Sequence, residues 1–337
     1  MKNYLRSWVY DEAILLADQF SYGHREIVLK AMGLDSSSLL LGSLPHGWGP
    51  FSPSRPYPKV FKRNFSHYPV LAWSEREYRG YLDLGHKRPI RFGSPWAHLV
   101  KQIESNESLR FLKSGVHEKE NRILFFPSHS VPGTTVTHFN NISQVKKLTG
   151  IEKITVSLFW LDYVNPSIKY FYEAQGCEVI CNGYKGATGF DSPWTPAGGR
   201  VLFLPRLLSR IESHDLIVVD TVSTPFWYAA SLGKKVLIFG EGDNYSWWHQ
   251  KKREDLRIEN RHMLKLVSKD FAKLPFDEVI EDNFALLNSA REELGFDFVS
   301  TSPSLIQGKN LLKEGVINSL VSKEVEEYFQ NNFIVEH

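Results

Sequence analysis

The sequence predicts an α/β protein whose second half is a doubly wound parallel sheet, and three observations carry that prediction. From 122 to 241, short apolar runs alternate with helical segments, as in successive strand–helix–strand units. The runs RILFFP, ITVSLFWLD, CEVICNG, DLIVVD and KKVLIFGE are apolar throughout, as strands covered on both faces must be. The helix between the second and third runs opens at Pro166 and closes at Gly176, the asymmetry of helix ends.

Taken in order, 10–33 reads as helix, with Ala13, Leu16, Phe20, Ile27, Val28 and Met32 at helical spacing and a break near Ser21-Tyr22-Gly23. SLLLGSL (38–44) reads as a buried strand, and the proline- and glycine-rich stretch from Pro45 to Pro58 as loop. YPVLAWS (68–74) is a second strand, EREYRGYLDLG (75–85) a short helix ended by glycine, and RPIRFGSPW (88–96) a strand running into a turn. The polar stretch 103–121 suggests the domain boundary. Beyond it come strand 122–127, helix 140–150, strand 154–162, helix 166–176 and strand 177–183. Then follow helix 200–214 with Pro205 in its first turn, strand 215–220, helix 225–233 and strand 234–241. Further helices are expected over 261–295 and 303–330, the last packing across the two domains.

Length and charge narrow the class. The 337 residues suggest two domains, 42% hydrophobic content supplies a core, and 40 basic residues nearly cancel 38 acidic ones. That balance argues against a disordered chain and a basic nucleic-acid binder. Cys177 and Cys181 are the only cysteines, too far apart on a strand to bridge, which suits a reducing, cytoplasmic setting. Charges interrupt every apolar stretch of the first sixteen residues, so no signal-peptide core is expected there, nor is any run long enough for a membrane helix.

Several chemistries lack their motif. The chain has no phosphate-binding G-x-x-x-x-G-K-[ST], no G-x-G-x-x-G after a strand, no G-x-S-x-G elbow and no C-x-x-C pair. It also has no Asp-x-Asp, so no metal is expected, and a phosphate-bearing ligand would depend on helix N-termini and side chains.

In a parallel sheet, ligands bind at the carboxyl ends of the strands. After strand 122–127, Ser128, His129 and Ser130 offer donors suited to phosphate, or simply a polar turn. In DTVSTP (220–225), Asp220 ends a strand and Ser223 or Thr224 caps the next helix; the same hydroxyls could grip a diphosphate at the positive helix end. In GEGDNY (240–245), Glu241 and its neighbours suit ribose or sugar hydroxyls. The long glycine-rich loop 182–199, with Lys185 and Trp194, is of a length that is usually functional. Arg206 is a further phosphate candidate, or a partner of Asp215 or Glu212. In PHGWGP, His46 follows an apolar strand and precedes Gly47, which suits a general base.

The order of these pieces resembles the GT-B glycosyltransferase superfamily, and within it the branch of CDP-glycerol glycerophosphotransferases and capsular polysaccharide glycosyltransferases. The likeness spans roughly 40–245 and rests on LPHGWGP (44–50), VLAWSEREYRGYLDLGHKRPIRFGSPW (70–96), ILFFPSHS (123–130) and HDLIVVDTVSTPFWYAASLGKKVLIFGEGDNY (214–245). It implies two Rossmann-like domains facing a cleft, with C-terminal helices packing back across them. The expected division is an acceptor-side domain over 1–118, a donor-binding domain over 119–300 and terminal helices over 301–337. It implies metal-independent transfer of a sugar or polyol phosphate from a CMP-, CDP- or UDP-linked donor to a glycan or lipid-linked glycan acceptor of a capsule, lipopolysaccharide or wall polymer. Ser128, His129, Ser223 and Thr224 would stabilise the leaving phosphate and His46 would take the acceptor's proton. No bound cofactor and no nucleic acid are implied, and a peripheral link to membrane or a synthesis complex is compatible.

Two other functions suit the same residues. A sugar-nucleotide 2-epimerase would need a carboxylate over the sugar ring, for which Asp83, Asp162 and Glu241 are the candidates. A non-catalytic nucleotide-sugar-binding subunit would bind without turnover.

Overall fold

The computed structural model describes residues 21–32, 44–45, 47–49, 70–83, 89–105, 121–129, 136–137, 142–183, 202–239, 244–245, 253–281 and 283–300. Among these, α1 spans His24–Ala31, β1 Val70–Ala72, α2 Glu75–Asp83, β2 Pro89–Arg91 and α3 Pro95–Glu104. Then come β3 Arg122–Phe126, β4 Val136–Thr137, α4 Ile142–Thr149, β5 Lys153–Leu158, α5 Trp160–Tyr163, α6 Pro166–Glu173 and β6 Glu178–Cys181. They are followed by α7 Phe203–Glu212, β7 Leu216–Val219, α8 Thr224–Ser231, β8 Lys235–Ile238 and β9 Asn244–Tyr245. The last are α9 Arg253–Val267, β10 Val279–Ile280, α10 Phe284–Glu293 and α11 Phe296–Ser300.

The main sheet has six strands in the order β10-β8-β7-β3-β5-β6, all parallel except β10, which runs antiparallel to β8. Numbered by their own sequence, these strands read 3-2-1-4-5-6 from the β6 edge, a doubly wound order. The apolar runs explain the layering. In β3, Leu124 and Phe126 join one core, with Ile217 and Val219 of β7 and Val236 and Ile238 of β8. Ile123 and Phe125 point the other way, to a core shared with Ile142 and Val145 of α4 and Ile168 and Tyr172 of α6. Each face is covered, so neither face of these strands needs a polar residue.

Residues from the first third of the chain enter the first of these cores, among them Ile27, Trp48, Trp73, Trp96, Val100 and Ile103. Their strands β1 and β2 form a separate two-stranded parallel sheet. The helix α3 that carries Trp96 lies where the sequence suggested only a turn and then a polar boundary. Its start is locally encoded: Ser94 accepts from the Ala97 N–H at 3.1 Å and Pro95 fills the first position. Trp96 stacks on Tyr228 with ring centroids 4.1 Å apart and donates through Nε1 to Ser231 Oγ at 3.1 Å, fixing α3 to α8.

Three further expectations shift. The run 154–162 divides, because Phe159 ends the strand and residues 160–163 turn into the short helix α5. The stretch 261–295 contains an unexpected edge strand, β10, between two helices. The helix expected over 10–33 is described only from residue 21, and the expected break is there: Tyr22 has φ 58°. The 38–43 part of the expected first strand and the helix at 303–330 lie outside the described residues. Cys177 and Cys181 are both buried and unbridged. No helix among the described residues is long and apolar enough to cross a membrane.

One buried imidazole in α3 gives the fold a pH dependence. His98 lies 2.9 Å from the Phe92 carbonyl through Nε2 and is only 3% exposed, and burial pushes its pKa down to about 4. The unfolded chain, with an imidazole near 6.5, then binds the extra proton first, so stability is lost as pH falls from about 6.5 to about 4. Glu77 opposes this, since burial raises its carboxyl from 4.5 to about 7 and favours the fold at the acid end of that window. Urea titrations of wild type and His98→Gln at pH 7 and pH 4 separate the two. Wild type should lose about 3 kcal/mol more than the variant, and parallel losses would exonerate His98.

Candidate functional site

The strand order puts the switch point between β3 and β7, where doubly wound sheets open a crevice. The chain leaves β3 to build β5 and β6 on one side and returns with β7 to build the other, so the loops after β3 and β7 diverge at their carboxyl ends. Two of the four loops singled out in the sequence, 127–129 and 220–223, border this crevice.

A buried carboxylate ties the two loops together. The Ser128 N–H donates to Asp220 Oδ2 at 2.5 Å, and Asp220 is 1% exposed. Asn260 of α9, fully buried, holds the second loop from below. Its Oδ1 accepts from the Val222 N–H at 2.8 Å and its Nδ2 donates to the Asp220 carbonyl at 3.2 Å. Nothing in the periodicity of α9 marks Asn260 for this task. Asn260→Ala leaves a buried N–H and a buried carbonyl unpaired, at about 1–3 kcal/mol for such a group. Urea unfolding should show that loss, together with faster hydrogen exchange at Val222. An unchanged Val222 exchange rate would count against the role.

The side chains around the crevice are partly uncommitted. Ser128 Oγ is buried and has no hydrogen-bond partner, a state that native interiors rarely leave unexplained. Ser223 occupies the N-cap position of α8 with extended backbone, yet its side chain makes no capping bond. The expected cap is therefore corrected: the Ser223 hydroxyl is spare. The Thr224 hydroxyl is turned away to another segment, the loop 47–49. The spare Ser223 hydroxyl at the positive end of α8 is suited to an anionic oxygen, whereas the Ser128 Oγ is enclosed.

The loop 47–49 comes from the opposite end of the sequence and sits on the α8 N-terminus. The Trp48 N–H donates to Thr224 Oγ1 at 3.0 Å. Trp48 Nε1 donates to Glu293 Oε2 at 2.8 Å, and its ring lies 5.0 Å from that of Trp227. Arg76 completes the clamp, with Nη2 2.7 Å from Glu293 Oε2 and 3.1 Å from the Gly49 carbonyl. A Cβ on Gly47 would lie 2.9 Å from Thr224 Oγ1, so a side chain there would displace the hydroxyl that accepts from Trp48. Arg76, Glu293 and Trp48 were not legible as site residues, because their partners lie up to 245 positions away.

The remaining candidates fall in several places. The His129 ring lies 4.3 Å from that of Phe159, at the end of β5. Arg206 donates through Nε and Nη2 to the Asn182 carbonyl at the end of β6, while Glu212 pairs with Lys234 and Asp215 accepts from the Arg122 N–H. His46, Ser130 and Glu241 lie outside the described residues, although Pro45 and Gly47 on either side of His46 are described. A surface cavity of about 250 Å³ lined by Gly233, Lys234, Ile280, Phe284 and Leu287 lies at the far end of α8 and shares no residue with the crevice. Among the described residues no group of three or more His, Cys, Asp or Glu side chains is placed to hold a metal ion.

No protein-family model matches the chain, and no curated protein matches it as a relative.

Proposed function

We propose that the protein is a metal-independent glycosyltransferase of the GT-B kind, or a polyol-phosphate transferase. On this reading it moves a group from a CMP-, CDP- or UDP-linked donor to a surface-glycan acceptor. The observation that carries the reading is the contact between the Trp48 N–H and Thr224 Oγ1. It joins the two loops that the sequence marked for acceptor-side base and donor phosphate, which are 176 residues apart.

In this reading the donor phosphates lie against the α8 N-terminus, where the Ser223 hydroxyl donates to them, with the loop that carries Ser128 alongside. Charge that builds on the leaving phosphate meets a fixed positive helix end, so little reorganisation is needed during transfer. His46, one residue from the pinned Gly47, takes the acceptor hydroxyl's proton. A two-domain arrangement with the acceptor held by the first domain belongs to the same reading.

A thermal-shift screen of the full chain against CMP, CDP, UDP, GDP and TDP tests it. One of the cytidine or uridine nucleotides should raise the melting point, because a ligand bound only by the folded state stabilises by mass action. Ser223→Ala should reduce that shift. A flat response to all five would sink the proposal, and so would a shift that Ser223→Ala leaves intact.

A further inference from the structure

The arginines of α7 point to a second anion site, at the carboxyl end of the edge strand β6. Arg206 and Arg210 are four residues apart and share one helix face. Both reach the same strand end: Arg206 donates to the Asn182 carbonyl, and Arg210 Nη1 donates to the Cys181 carbonyl at 2.9 Å and to Asn182 Oδ1. Asn182 is itself fixed by donating from Nδ2 to Ser157 Oγ at 3.0 Å. These bonds tie the Arg210 guanidinium to the strand end through Nη1.

Arg210 is incompletely used. Among the described residues only its Nη1 makes hydrogen bonds and it has no ion-pair partner; toward them the Nε–Nη2 edge, the edge that forks a carboxylate or phosphate, is uncommitted. Burial presses the pKa of this half-buried guanidinium down and Arg206 adds to that, while Cys181 and the Glu178 carboxylate offset only part of it, so the charge is incompletely compensated in the free protein. A bound oxyanion removes that cost.

We propose that Arg210, with Arg206 beside it, binds an oxyanion of a ligand lying across the carboxyl edge of the sheet. β6 stands two strands from β3 and three from β7. At about 4.8 Å per strand, the site is roughly 10–14 Å from the switch-point crevice. An anion there is distinct from one at the α8 N-terminus. Combined with the transferase reading, on which this last step rests, the substrate carries a second negative group besides its diphosphate: a sugar carboxylate or a further phosphate.

Inorganic phosphate and glucuronate, titrated separately and followed by melting point, test the site and distinguish its two sources. Wild type should respond to at least one of them. Arg210→Gln should weaken that response by about tenfold or more, and Arg210→Lys, which keeps the charge but not the fork, should fall between. The Arg210-dependent part of the response should persist in Ser223→Ala, which alters only the α8 N-terminus. The proposal is overturned if wild type responds to neither anion, if Arg210→Gln responds as wild type does, or if Ser223→Ala abolishes the response. Should Arg210→Gln fail to fold, Arg210→Lys decides by the same criterion. Loss of the nucleotide shifts with the Arg210-dependent response intact would refute the transferase reading and leave this site standing.

Discussion

Gly295→Ala is expected to destabilise the protein by roughly 3–5 kcal/mol, or to prevent folding outright. Gly295 has φ 71°, a conformation that costs an L side chain about 1–2 kcal/mol by itself. The larger part is steric: a Cβ on Gly295 would lie 1.9 Å from the Trp73 carbonyl oxygen and 2.6 Å from the Gly93 Cα. Both obstacles are backbone, so no rotamer change relieves them. Gly93 is the reciprocal contact, at φ 86° with the Gly295 carbonyl 2.6 Å from where its own Cβ would be. Next to it, the Ser94 N–H and Oγ both donate to the Leu294 carbonyl at 2.8 Å. Separation at this point disturbs α3, α10 and the Trp48–Glu293 bond together. Gly150→Ala is the control: φ is 69° there too, but nothing lies within 4 Å of the added Cβ. Its cost in urea unfolding should stay near the 1–2 kcal/mol of the conformation alone. Equal losses in the two variants would show that the backbone contact contributes nothing.

The second large effect concerns turnover. If His46 is the general base, His46→Ala should lower the transfer rate by about 10²–10⁴-fold while nucleotide binding and melting point stay close to wild type. His46→Gln should be nearly as slow, since an amide keeps polarity but cannot take the proton. The clamp predicts a companion result. Glu293 holds Trp48 and Arg76, so Glu293→Ala should slow turnover and lower the melting point as well, because it leaves a buried indole N–H unpaired and removes the carboxylate of the Arg76 ion pair. A rate defect without a stability defect therefore separates the base from its support. A well-folded His46→Ala protein with normal turnover of a genuine donor and acceptor would remove His46 from the mechanism.

How much of this was legible varies with the range of the interaction. The five parallel strands of the main sheet could be read because apolar runs flanked by helix start and stop residues are local signals. The start of α3 was equally local, in Ser94 and Pro95, but the expected strand end had already claimed those residues. β10 was missed because two residues at an antiparallel edge carry no period to detect.

The sequence by itself determined the α/β class, the five parallel strands with the main helices between them, and the loops at the strand ends, since each depends on residues a few positions apart. The tertiary structure decided which loops meet. The 3-2-1-4-5-6 strand order brings Ser128 to Asp220, and the packing of the early segments on one sheet face brings Trp48 to Thr224 and Glu293. It likewise sets Gly93 against Gly295 with no room for a side chain, and aims Arg210 at the end of β6. These contacts follow from the order in which strands cross over and from close packing across the chain, and the cost of closing such long loops grows too slowly with length to leave a trace in local composition.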